Sequence, residues 1–400
     1  MFFKKYVFSL FFAIPVFLFS QEISIPPFGK GLLNIKAKDS SWAMKFALRI
    51  QSRAVFEWET QNSDLSNFSS DFLIRRAHLK FDGFVLNPKL QYKFVLGLSN
   101  IDASGASSFT GNAPRNIFDA VIKWNFKGNF YIWFGQTKLP GNLERIISSA
   151  ELQFVERSLV DDNFNIDRDI GIQLRHHFKL NNNFIIREQV AISQGEGKNI
   201  VTGNLGGYEY TGRVELLPLG AFKKKGEFSQ GDLRREEKPR LAIGIAYDFN
   251  DDAVRTKSNR GNHMVTNTGF HETDISTFFI DAMFKYKGFS FTGEYANRNA
   301  DDPLAKNTDG SLTGDIVETG NGFNLQVGYL FRNNYEVSGR YTNISLDEVV
   351  TRKGMKNQFS LGFSKYIVSH KLKLQTDIRY LSLENNVDKL IYRLQMEVHF

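Results

Sequence analysis

The 400-residue chain contains no cysteine and only nine prolines. Small secreted domains commonly rely on disulfides, so this chain draws its stability from another source. Beyond the N-terminus no window is long and apolar enough for a membrane-spanning helix, and the mean hydropathy of −0.30 excludes a helical membrane protein. The net charge of +7 is modest, and Lys and Arg are spread along the chain rather than clustered, which argues against a nucleic-acid reader. Catalytic and metal motifs are missing too. Gly195 to Lys198 and Gly203 to Gly207 have no strand-to-helix context for cradling phosphate. There is no HExxH motif, and the adjacent His176 and His177 would face opposite sides of a strand. A lipid-hydrolysing barrel would need a Ser–His pair that nothing here singles out. Neither an enzyme nor a cofactor or metal protein is expected.

What is abundant is phenylalanine, 38 residues of it. At the N-terminus, Lys4 and Lys5 precede an apolar run from Tyr6 to Phe19, with Ser20-Gln21 as a cleavage point. Residues 1–20 therefore read as a secretory signal peptide. Residues 21–41, with Pro26-Pro27, read as a loose periplasmic lead-in, and 42–400 as one domain.

That domain alternates. Met44, Phe46, Leu48 and Ile50 interleave with Lys45, Ala47, Arg49 and Gln51, the period of a half-buried strand. Leu73, Ala77, Leu79 and Phe81 repeat it, with Arg75 interrupting the apolar row. About sixteen such strands follow one another. Short turns such as Asn87-Pro88, Gly128-Asn129 and Lys287-Gly288 alternate with longer polar loops, as in a transmembrane barrel. The charged stretch within Leu219 to Pro239 falls on the short-turn side and reads as a solvated insertion rather than a binding arm. The last strand, Leu390 to Phe400, ends on an aromatic. It is similar to the C-terminal signal through which the assembly machinery recognises bacterial outer-membrane proteins.

The expected fold is all-β, a transmembrane antiparallel β-barrel. Unpaired backbone groups in lipid cost several kcal/mol each, so strands cross a bilayer only as a closed sheet. Sixteen strands are too wide for side chains to fill. With apolar residues facing outer-membrane lipid, the lumen receives Lys45, Arg49, Arg53, Arg76, Lys80, Lys93, Lys123, Arg175, Arg187, Arg213, Arg379 and Arg393, together with His78 and His177. Glu57, Asp82, Glu209, Glu215, Asp377 and Glu397 share the wall. Arginine suits oxyanions because its fork donates two hydrogen bonds and stays charged.

One connection is unusual. Pro140 to Asp167, after the fifth strand, is a long charged segment. It is expected to fold inward as the third loop and narrow the lumen. Leu143, Ile146, Ile147, Ala150 and Phe154 recur at helical spacing, which would expose Glu144, Arg145, Glu151, Glu156 and Arg157.

The runs FLIRRAHLKFDGF, WFGQTKLPGNLERIISSAELQFVERSL and FNIDRDIGIQLRHHF resemble the phosphate-selective porins O and P, particularly a Bacteroidetes-like branch. The resemblance implies a homotrimeric, sixteen-strand outer-membrane porin with an inward third loop and a basic lumen. It transfers no individual phosphate ligand. The functional expectation is a passive channel for small hydrophilic solutes, preferring anions such as phosphate. A non-selective or structural porin and a surface binding or adhesion barrel are the alternatives.

Overall fold

The computed structural model describes residues 22–400 except 62, 63 and 182. The proposed signal peptide at 1–20 lies outside the described residues. Sixteen long strands form the wall. The first half comprises β1 (Trp42–Gln61), β2 (Asp64–Val85), β3 (Asn87–Gly97), β4 (Ile117–Lys127), β5 (Phe130–Lys138), β6 (Arg168–Lys179), β7 (Ile185–Ser193) and β8 (Glu209–Leu217). The second comprises β9 (Arg240–Ala253), β10 (Thr273–Tyr286), β11 (Phe289–Ala300), β12 (Gly320–Leu330), β13 (Tyr335–Leu346), β14 (Lys356–Val368), β15 (Leu372–Leu383) and β16 (Asp388–His399). Each pairs antiparallel with the next, and β16 pairs back onto β1 from Asp388↔Thr60 to His399↔Arg49. That last ladder closes the barrel.

Burial along each strand is reversed relative to a soluble sheet. On β14, Phe359, Leu361 and Phe363 are exposed while Gln358, Ser360 and Ser364 are buried. The outside is dressed for lipid and the polar residues face inward. Links on one side are short, as at 128–129, 287–288 and 331–334, and on the other side mostly long, as at 98–116, 139–167 and 254–272. Lys287 and Gly288 both take positive φ, 48° and 91°, which suits the two-residue turn of a right-twisted hairpin.

Three local readings need correction. The lead-in is not loose: Leu33–Lys36 pairs with Ala43–Phe46 of β1, and Glu22–Ser24 pairs with Leu33–Lys36 in turn. The cause is that β1 runs on past the end of β16, leaving backbone groups that the lead-in satisfies. Second, Arg75 does not face lipid. The register shifts between Gln51 and Ser52, which pair with Arg76 and Ile74, so Arg75 is the extra residue of a bulge. Third, the third loop holds no single helix over Leu143 to Phe154. Leu143–Ile146 is one short turn, Ser149–Glu151 a 3-10 turn and Leu159–Phe164 a separate helix. Between them the backbone bonds outward: Lys373 Nζ reaches the Ala150 and Leu152 carbonyls, each at 3.0 Å, and Gln375 the Gln153 carbonyl at 2.9 Å. Carbonyls taken by the wall do not continue a helix.

Candidate functional site

The segment 139–167 touches the inward faces of strands around the ring. Its apolar residues Leu139, Val160, Phe164 and Ile166 bury against Ala191, Ala246, Phe279, Ala296, Ile344 and Leu346, contributed by β7, β9, β10, β11 and β13. Leu143, Ile147 and Leu152 form a second cluster with Leu217 and Met283. Each such side chain contributes roughly 1.5–3 kcal/mol on full burial. The loop therefore lies against the far wall, and the space that remains is against β1 to β6.

Polar contacts fix its position. Glu156 accepts from Arg53 at 3.0 Å, Arg75 at 3.0 Å and Arg76 at 2.8 Å. The β2 bulge is what lets consecutive arginines reach one carboxylate. Burial alone would raise the Glu156 pKa, but Arg76, Arg53 and Arg75 outweigh it and hold the carboxyl well below the usual range. Glu144 meets Arg340 at 3.0 Å with both side chains wholly buried, and accepts from Ser158 Oγ at 2.6 Å. Arg298 donates to the Asn163 and Phe164 carbonyls at the C-terminal end of the Leu159–Phe164 helix, where a cation is favoured.

A carboxylate whose folded pKa is depressed contributes stability above its unfolded value, and the contribution is lost only as pH falls through the folded value. The Glu156 anchor should therefore persist to about pH 5, and the stability difference between wild type and Glu156→Gln in denaturant unfolding should stay constant between there and about pH 8. A difference that shrinks inside that window would show the anchor broken by protonation.

The remaining cavity has a volume of about 670 Å³. Of the basic positions expected in the lumen, Arg49, Arg76, Lys80, Lys93, Lys123 and Arg175 line it, as do Arg145, Glu151 and Arg157 of the loop. Others do not reach it. Arg213 is locked to Asp281 at 2.7 Å, Arg393 to Asp377 at 2.6 Å, and Arg379 also bonds Asp377. Arg187 pairs with Glu215 and Glu227, Arg53 with Glu156, and Lys45 is half-buried off the cavity. Glu144 and Glu156 are likewise anchors and do not line it, contrary to the exposed helix face expected for them.

Sequence reasoning missed Arg75, Lys138, Arg168, Lys198, Lys225 and Lys371, which also line the cavity. Most lie in loops or at strand ends, where alternation carries no information. Acidic residues on the same surface are fewer: Asp102, Asp119, Glu151 and Asp167.

Not all of these cations are equally available. Lys80 is held by Asp82 at 2.7 Å, Lys93 by Asp119 at 2.9 Å and Arg49 by Glu397 at 2.8 Å. Lys123 and Arg175 differ. Neighbouring strands place each of them 3.8 Å from the centre of the Trp133 ring. Arg175 also shares the Gln173 side-chain oxygen, and among the described residues neither cation has a carboxylate within 4.0 Å. A ring face orders a cation without neutralising it. These two charges remain open to a solute.

Comparison with known proteins agrees with this architecture. A Pseudomonas putida OprB structure is similar over 89% of this chain and 94% of its own, with a TM-score of 0.55 and 11% identity. The anion-selective porin from Comamonas acidovorans gives 0.53 and 11% over 90% of this chain and all of its own. An uncharacterized protein of Aquifex aeolicus is 24% identical over 393 residues, 89% of this chain and 87% of its length. The model of the family described as phosphate-selective porin O and P matches residues 47–386. With its closed sixteen-strand wall, the chain is an integral outer-membrane porin and belongs to the phosphate-selective porin O and P family.

Proposed function

We propose that this porin passes small hydrophilic solutes by passive diffusion and prefers anions, phosphate-like oxyanions among them. The observation that carries the preference is the Lys123–Trp133–Arg175 stack, two unneutralised cations on the open side of the lumen. An oxyanion entering there meets donors that need not first leave a carboxylate. Paired neighbours such as Lys93 and Arg49 offer weaker, successive contacts, which suits transit better than one deep trap.

The purified protein in a planar bilayer under a salt gradient tests this. The reversal potential should report anion preference, and phosphate should reduce chloride current. Exchanging Lys123→Gln and Arg175→Gln together should lower the anion-to-cation permeability ratio at least about threefold and weaken the phosphate effect. A wild-type potential of cation sign would sink the anion reading. A potential near zero would leave a general-diffusion porin, and absence of conductance would favour the adhesion barrel.

A further inference from the structure

The links on the short-turn side are brief except at 218–239, between β8 and β9. Its charge suggested a solvated insertion, and Lys223, Lys224, Lys225, Arg234, Glu237 and Lys238 are indeed exposed, but Phe222, Glu227, Gln230, Asp232 and Glu236 are buried. Phe222 joins Leu143, Ile147 and Leu152 of the third loop in one apolar cluster. Lys285 of β10 donates to the carbonyls of Gly226 at 2.8 Å and of Ser229 and Gly231, each at 2.6 Å. The Gln230 amide donates to the Glu151 carbonyl at 2.8 Å, and its side-chain oxygen accepts from the Gln153 amide at 2.9 Å. His370, in the short turn between β14 and β15, reaches the Gln230 carbonyl at 3.1 Å. The insertion is thus tied to the wall by β10 and to the third loop by its own backbone.

Two consecutive lysines within it, Lys224 and Lys225, take left-handed backbone, with φ of 50° and 57°. Side chains with a Cβ avoid that region. The conformation accompanies an exposed Lys225 that lines the residual cavity, as does Phe228. Among the described residues no carboxylate lies within salt-bridge reach of Lys225, whereas Lys223 on the same turn is held by Glu237 at 2.8 Å.

We infer that 218–239 is a second constriction element, entering from the short-turn side, braced against the third loop, with Lys225 as its specificity-determining residue. The inference rests on the channel reading but not on anion preference, because its main readout is the size of the current.

The absence of native cysteine makes a clean test. A Lys225→Cys variant, reconstituted and exposed to a bulky uncharged methanethiosulfonate, should lose at least about a third of its single-channel current on labelling. Lys225→Glu should lower the anion-to-cation permeability ratio at least about twofold. Labelling confirmed by mass with no change in current would overturn the constriction. An unchanged reversal potential in Lys225→Glu would overturn the residue's role. A wild type of cation sign would defeat the anion reading while leaving the labelling result to stand or fall by itself.

Discussion

Glu156→Gln should raise the anion-to-cation permeability ratio several-fold while loosening the third loop. Three guanidinium groups converge on this carboxylate, at 2.8 to 3.0 Å, and two of them, Arg75 and Arg76, line the open cavity. The amide accepts hydrogen bonds but neutralises nothing, so one more net positive charge faces the path. Removing one partner of a largely buried ionic group also costs stability, here about 3 kcal/mol. The reversal potential in a salt gradient checks the first effect and denaturant unfolding the second. An unchanged permeability ratio with a folded barrel would show that these arginines do not face the conducting space.

The second large effect is at Arg340, which meets Glu144 with both side chains wholly out of solvent. Arg340 also donates to the Glu156 carbonyl at 2.9 Å and to Gln326. Arg340→Met leaves the Glu144 charge buried without its partner, at a cost of about 3–5 kcal/mol. The single variant should unfold at clearly lower denaturant and show a noisier open channel, since Glu144 lies at the first turn of the loop. Adding Glu144→Gln removes the stranded charge and should recover more than half of the loss. If the single variant unfolds with the wild type, the pair is not an anchor.

Sequence reasoning went furthest where the physics is local. A lipid-facing strand shows itself by period two, as at Phe359, Leu361 and Phe363, so the number of staves and the place of the third loop could be counted. It failed where one residue changes the phase. Arg75 belonged to the wrong face until the bulge opposite Gln51 and Ser52 was seen. It also failed where partners come from afar. Alternation puts Arg213 and Lys123 on the same inner surface, but Asp281, 68 residues from Arg213, spends the first charge, and Trp133 leaves the second unspent. The partial burial of 218–239 was hidden for a similar reason. Its acidic groups read as solvated because the donors that meet Glu227 and Asp232, the Arg187 guanidinium and the Gly288 amide, lie on other stretches of chain.

The ladder between β1 and β16 has a consequence in time. The Arg49–Glu397 bond joins residues 348 apart, and closing so long a chain costs about 5 kcal/mol of entropy before any contact rewards it. Non-local pairings of this kind form slowly. Arg49 also donates to Ser149 Oγ at 2.7 Å, so the seam and the third loop share a residue. The loop also bonds Lys373 and Gln375 of β15, so its contacts on the two sides of the seam can coexist only once the ring has shut. A barrel delayed at the open-sheet stage would hold the loop by its apolar side alone, and the seam-spanning contacts would form last.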